Sequence, residues 1–414
     1  MRRRAACLMT LLGLLASAAP AWAGVCSLDD RPGATLLLPY FEVDLASPAG
    51  RTTLFTINNA AAEPVLVNVV LWTDMGVPTL NFPVYLTGYD VQTVNLRDLF
   101  DGRVPQTASD AQDPQDAISP QGMLSQDIGF PSCDGLLPPL AQLPDWLLAH
   151  LRLVHTGNVS PIWRMCAGQY LNDDVARGYV TMDTASRCAF LFPSDPGYFG
   201  PGGLATSQNV LWGDFFYVDP ANAFAQGENL IRLQADPVAL AGKRTFYGRY
   251  VNGSGADGRE PLPSIWAVRY LSAGTFSGGT DLVAWRDSGR VNKPFPCHQP
   301  PTPLVLKEYV PFDEEENPFV PVPLPIDPPL PLPPLDYLPA EANRFTVGQE
   351  HLRTPFDFGW IYVDLGLFPS GIFDPSQGWV GVVMKANGRF SAGLGATPLA
   401  SGCRPEDRPF PRPE

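Results

Sequence analysis

The sequence predicts an all-β chain, built of antiparallel β-sandwich domains with one short helix and a long Pro-rich strap. Three observations predict it. Short runs rich in Val, Thr, Tyr, Phe and Trp recur along the chain between Gly, Pro, Asn and Asp turn signals, the pattern of antiparallel strands. The 46 Pro and 38 Gly among 414 residues are too many for a helical bundle, and no repeating Gly period makes a collagen-like fibre. One stretch stands out as a helix.

In chain order, Ala34–Val43, Arg51–Asn58, Val65–Thr73, Asn81–Leu86 and Tyr89–Leu96 read as consecutive strands. Asn58-Asn59, Glu63-Pro64, Asp74-Met75-Gly76 and Thr87-Gly88 punctuate them. Residues 101–135 (with DGR, SDAQDPQD and SPQG) read as a long surface loop or lid. Asp145–Val154 follows Pro144 and stops before Gly157, the signature of a short helix packed on a sheet. Strands resume at Gly178–Asp183, Asn209–Val218, Asn229–Gln234, Thr245–Val251, Ser264–Leu271 and Asp281–Arg286. Residues 294–339 hold 16 of the 46 Pro and read as extended polyproline-II chain rather than a core element. Gly359–Leu365, Gly378–Lys385 and Arg389–Gly395 complete the strands. The division expected is a sandwich at 24–105, a loop region with the helix at 106–176, a second β-rich domain at 177–403 and a disordered tail at 404–414. Should strands from the two ends share a sheet, that boundary moves.

Residues 1–23 have the layout of a secretory signal peptide: Arg2 to Arg4, the apolar run Ala5–Ala19, and Ala21-Trp22-Ala23 before Gly24. This predicts export to the periplasm or the medium. Val25 before Cys26 does not suit a lipoprotein. Cleavage leaves 25 basic against 42 acidic residues, a balance unsuited to neutralising nucleic-acid phosphates. No later apolar run approaches a membrane span. Six Cys remain, Cys26, Cys133, Cys166, Cys188, Cys297 and Cys403, enough for three disulfides in an oxidising compartment. Of the 15 connectivities, the preferred one pairs Cys26 with Cys403, Cys133 with Cys166 and Cys188 with Cys297.

The segments LLLPYFEVD, TLFTINN, LWTDMGVPT and LTGYDVQTVNLRDLF resemble the opening of a group of uncharacterised exported bacterial β-sandwich proteins. TFYGRYVN, REPLPSIWAVRYL, GGTDLVAWRDS and GWVGVVMKANGRFSAGL are similar to later parts of the same group. The resemblance implies export from a bacterium and transfers no catalytic or binding residue. Residues 34–100 also resemble an immunoglobulin-like surface module, which implies a fold and not a function.

Chemistry is sparse. There is no GxSxG, no phosphate loop, no GxGxxG opening a helix, and none of the four Lys has Ser three residues before it. His150 and His155 would point about 140° apart on a helix and cannot share a metal as an i, i+4 pair does. His155 at the helix end is placed to act as a cation against the negative dipole end. His298 reads as exposed, and nothing supplies a third ligand beside Glu350 and His351. The run Asp313–Glu316 reads as a solvated linker, with a hard-cation site as its alternative. Asn252–Glu260 reads as a hairpin turn before a metal loop. No cofactor, metal or catalytic residue is assigned. Trp72, Trp212, Trp266, Trp285, Trp360 and Trp379 lie in or beside strands, where they are core residues or, if several face outward together, a sugar-stacking platform. The expectation is therefore a secreted, non-enzymatic protein with a binding or structural role, its partner a glycan or a protein at the cell surface. The alternative is an exported polysaccharide-directed hydrolase using an Asp/Glu pair. A cleft with converging carboxylates favours the alternative.

Overall fold

A computed structural model describes residues 31–105, 142–251, 255–272, 279–319, 337–348, 354–366, 377–385 and 391–399. The expected signal peptide, the loop expected after residue 105, Cys26, Cys133, Cys403, His351 and the expected tail lie outside the described residues.

The chain is all-β, with several antiparallel sheets and little helix. Its strands are β1 (Thr35–Asp44), β2 (Thr52–Asn59), β3 (Val65–Thr73), β4 (Pro78–Leu86), β5 (Val91–Asn95), β6 (Val175–Ala185), β7 (Leu211–Trp212), β8 (Asp214–Asp219), β9 (Phe224–Asn229) and β10 (Ile231–Leu233). They continue with β11 (Ile265–Leu271), β12 (Thr280–Arg286), β13 (Leu304–Val305), β14 (Glu308–Phe312), β15 (Tyr337–Leu338), β16 (Ala342–Thr346), β17 (Phe358–Asp364), β18 (Gly378–Lys385), β19 (Ser391–Gly395) and β20 (Thr397–Pro398).

Two sheets make the first half, ordered β10-β1-β6-β3-β4 and β5-β2-β8-β9, with β7 beside β2. Two more make the second half, ordered β14-β17-β11-β20 and β16-β12-β18-β19, and β13 pairs with β15. Burial explains the central strands. Every residue of β3 is buried, as is every residue of β1 except the last, Asp44, so both faces of that sheet are covered. β2 instead alternates half-buried and buried positions, as a strand with one wetter face must. The register of β1 against β6 slips between Leu38 and Phe41, where Pro39 has no N–H to give the ladder.

The boundary expected at residue 177 does not exist. β6 is hydrogen-bonded on one side to β1 and on the other to β3, and β8 pairs with β2. Residues 175–233 therefore complete the first half instead of opening the second. Buried strands such as β1 and β3 need partners on both edges, and the chain supplies β6 from a distance. The halves also share one core: Trp72 stacks on Tyr179 at 5.5 Å, Tyr179 meets Trp285 edge-on at 5.8 Å, and Phe246 meets Trp285 at 5.0 Å.

Three further expectations change. Thr245–Val251 is not a strand but a 3₁₀ turn, Phe246–Tyr250, begun by the Thr245 hydroxyl accepting the Tyr247 N–H at 3.2 Å. The strand expected to reach Leu96 stops at Asn95, whose side chain accepts the Arg97 N–H at 3.1 Å and caps a helix, Leu96–Phe100. There are thus two helices among the described residues, the other being Asp145–His155. Finally, the Pro-rich strap is not all polyproline chain: β14 pairs with β17, with Pro311 opposite Ile361. β14 is an edge strand, the place where a sheet tolerates Pro.

A disulfide joins Cys166 to Cys297, a chain separation of 131 residues, and Cys188 is disulfide-bonded as well. The Cys166–Cys297 bond rules out both the Cys133–Cys166 and the Cys188–Cys297 pairings. Spacing along the chain could not find it, because the backbones of Cys166 and Phe295 are brought together by an isolated bridge between the two halves.

The turn Asp74-Met75-Gly76 holds the halves together. The Asp74 carbonyl accepts the N–H groups of Glu341 and Ala342 at 2.9 and 3.0 Å. Gly76 has φ +75°, and a Cβ there would overlap Glu341 Oε2 and stand 2.5 Å from Asn292 Nδ2. Both groups are fixed in a buried network, so neither can retreat. Gly76→Ala is expected to lose about 2–3 kcal/mol of stability in urea unfolding. Gly289→Ala, at φ +67° with open space around it, should lose only about 1 kcal/mol. Equal losses would show that backbone strain, not the crowding against Glu341, is the cause.

Candidate functional site

A cleft of about 660 Å³ opens where the two halves meet. β1 and β2 supply one wall and β12, β16 and β18 the other. Tyr40 and Glu42 are two residues apart on β1, so strand alternation sends both side chains to the cleft side. Arg344 and Thr346 repeat the spacing on β16, and Thr346 lies opposite Asp281 of β12.

These residues form a chain of alternating charge. Arg51 Nη1 donates to Glu42 Oε2 at 2.9 Å, and Arg344 Nη1 donates to the same oxygen at 3.1 Å. The other edge of Arg344 donates to Asp281 Oδ2 at 2.8 Å from Nε and from Nη2. Lys385 Nζ also donates to that oxygen, and Thr346 Oγ1 donates to Asp281 Oδ1 at 3.0 Å. The Tyr40 hydroxyl donates to Glu42 Oε1 at 2.7 Å. Burial alone would raise the Glu42 carboxyl, but Arg344 and Arg51, with the Tyr40 hydroxyl, overcome it and hold the group below its ordinary value. Burial opposes ionisation of Asp281 too, and there Arg344 and Lys385 win. Both acids are therefore ionised and already paired.

Sequence reading singled out none of these residues. Glu42 and Arg344 lie 302 positions apart, and neither sits in a motif. A Glu two places after Tyr in a strand was the only local sign.

The residues that were singled out lie elsewhere. His150 and His155 are buried in the helix, His150 with Nδ1 2.8 Å from Ser160 Oγ. The ring of His155 is held by the Arg177 carbonyl and Thr79 Oγ1, each at 2.8 Å. Burial pushes both down to about 4, so His155 is not the cation expected at the helix end. His298 is exposed. Asp313 makes a turn, its Oδ1 accepting the N–H groups of Glu315 and Asn317 at 2.9 and 2.8 Å. Asp257 accepts the N–H and hydroxyl of Thr245 at 2.7 and 2.9 Å, so it braces the 3₁₀ turn. Among the described residues no group of three His, Cys, Asp or Glu is placed to hold a metal, and no helix is long and apolar enough to cross a membrane. Trp72, Trp266, Trp285 and Trp379 are core residues. Trp212 lies under the Arg232 guanidinium at 4.4 Å, and Trp360 is half-buried.

Fold and cleft together define an all-β protein of two fused sandwich-like halves with an ion-paired polar cleft at their junction. No family model, curated protein or solved structure matches the chain.

Proposed function

We propose that this chain is an exported, non-enzymatic protein with a binding role at the cell surface, in the periplasm or outside the cell. The junction cleft takes a polar ligand carrying both charge signs, as a segment of a partner protein does. One observation carries the reading. The cleft does gather carboxylates, the arrangement that favours a hydrolase, but Glu42 and Asp281 are each neutralised by two cations. A glycosidase needs one carboxyl kept protonated to act as general acid. Here Arg344 bridges both acids and keeps both ionised, which suits recognition and not proton transfer. The leader-like N-terminus and the paired cysteines support export.

The test uses the full chain in two assays. Thermal melts against a panel of short peptides of mixed charge are expected to give a rise in Tm, since a ligand at 100 times its Kd stabilises by about 2.7 kcal/mol. Lys385→Ala and Asn222→Ala, at the cleft mouth, are expected to remove the rise. Release of reducing sugar from soluble polysaccharides, lost in Glu42→Gln or Asp281→Asn, would instead establish the hydrolase.

A further inference from the structure

A second cleft, about 520 Å³, lies on the sheet β14-β17-β11-β20, away from the junction. Its walls include Trp360, Arg269, Thr397, Asp313, Glu314 and Glu316. The strand register explains the arrangement. Phe312, Trp360 and Arg269 are neighbours across β14, β17 and β11. Phe312 stacks on Trp360 with ring centroids 4.2 Å apart and planes within 3°. Phe312 does not line the cleft and Trp360 does. One indole face is therefore covered and held by Phe312, while Trp360 itself, half-buried, lines the cleft. On its other side lies Arg269, which is exposed, and among the described residues its side chain has no hydrogen-bond or ion-pair partner. The same holds for the Glu314 and Glu316 side chains, which stand exposed on the turn that Asp313 organises.

From this juxtaposition we propose that the cleft is a glycan-binding site for a neutral sugar chain. A flat indole braced on one face by a second ring matches the C–H face of a pyranose. Carboxylates and a guanidinium without partners among the described residues stand beside it and match vicinal hydroxyls, which both donate and accept. The rim carries three acids against one Arg, so uronate-rich or sulfated chains are repelled. The site goes beyond the junction cleft and does not depend on it.

The test is a titration of the full chain with cellohexaose, xylohexaose, chitohexaose and mannohexaose, and with polygalacturonate as the charged competitor. Tryptophan fluorescence and Tm are read together. At least one neutral hexasaccharide is expected to shift both, and polygalacturonate neither. Trp360→Leu is expected to weaken that binding tenfold or more, and Arg269→Ala about fivefold. Lys385→Ala in the junction cleft is expected to leave it unchanged, which separates this site from the other. Arg269 is exposed, so its variant decides the matter if Trp360→Leu melts early. No shift with any neutral hexasaccharide, or a shift untouched by both substitutions, overturns the proposal.

Discussion

Arg249→Met is expected to lose about 3–5 kcal/mol of unfolding free energy, measured by urea denaturation at neutral pH. Arg249 leaves the 3₁₀ turn Phe246–Tyr250 and is buried between the two halves. Its Nη1 donates to Glu341 Oε1 at 2.5 Å, to Asp287 Oδ1 at 3.2 Å, to Ser288 Oγ at 3.1 Å and to the Arg290 carbonyl at 3.0 Å. Glu341 is further held by the Tyr179 hydroxyl at 2.7 Å and by Asn292 Nδ2 at 2.8 Å. Two buried carboxylates thus share one guanidinium. Burial and the Glu341 charge already raise the Asp287 carboxyl, while Arg249 keeps Glu341 low. Removing the cation strands both acids in a medium that does not solvate them. The double variant Arg249→Met/Glu341→Gln is expected to lose less than the single one, because one stranded charge goes with it. Tyr179 belongs to β6 and Glu341 precedes β16, so the network also fastens the halves. The wild type is expected to unfold in one transition and Arg249→Met to show two. A loss below about 1 kcal/mol would refute the account of the network.

Between pH 7.5 and pH 5 the chain is expected to lose about 1.5 kcal/mol of stability, and three buried groups set that figure. His155, pushed down to about 4 by burial, stays neutral in the fold, while in the unfolded chain it takes a proton near 6.5. Its stabilising contribution is complete above 6.5 and declines as pH falls toward 4, by about 2 kcal/mol at pH 5. His150 has the same sign and a smaller effect, about 1 kcal/mol, because it is packed less deeply and water screens part of its charge. Asp74 opposes them. Burial raises its carboxyl to about 6 even though Gln169 donates to it from the backbone N–H and from Nε2 at 3.1 and 2.9 Å. The folded state therefore gains a proton as pH falls through 6, which returns about 1.5 kcal/mol at pH 5. His155→Gln is expected to flatten the profile, and Asp74→Asn to steepen it by removing the opposing gain. A wild-type stability unchanged between these two pH values, with His155→Gln also flat, would show that His155 is not held neutral.

Strand composition made the fold class legible, because β-branched and aromatic runs between turn residues encode strands locally. Val65–Thr73 and Gly378–Lys385 are found where expected to the residue, and the helix at Asp145 differs by one position at its end. Local signals failed where a polar side chain redirects the backbone. Asn95 caps a helix inside what reads as a strand, and Thr245 opens a 3₁₀ turn in an aromatic run that propensity assigns to β. Local reading also missed β9, Phe224–Asn229, whose Gly, Glu and Asn have low β propensity and which forms because it pairs with β8.

The sequence by itself determined the class, most strand positions, the punctuation at Gly76 and the scarcity of recognisable catalytic motifs, since each depends on residues within a few positions of one another. Only the tertiary structure decided the rest. β6 inserts between β1 and β3 because two buried strands need partners on both edges, whichever part of the chain supplies them. Cys166 meets Cys297, and Arg344 meets Glu42, because residues far apart in the chain are juxtaposed when the sheets pack. Neither the pairing of charges nor the position of Trp360 at a cleft is written locally. Both depend on what lies across the fold, and a low-dielectric interior then makes those long-range neighbours the dominant electrostatic partners.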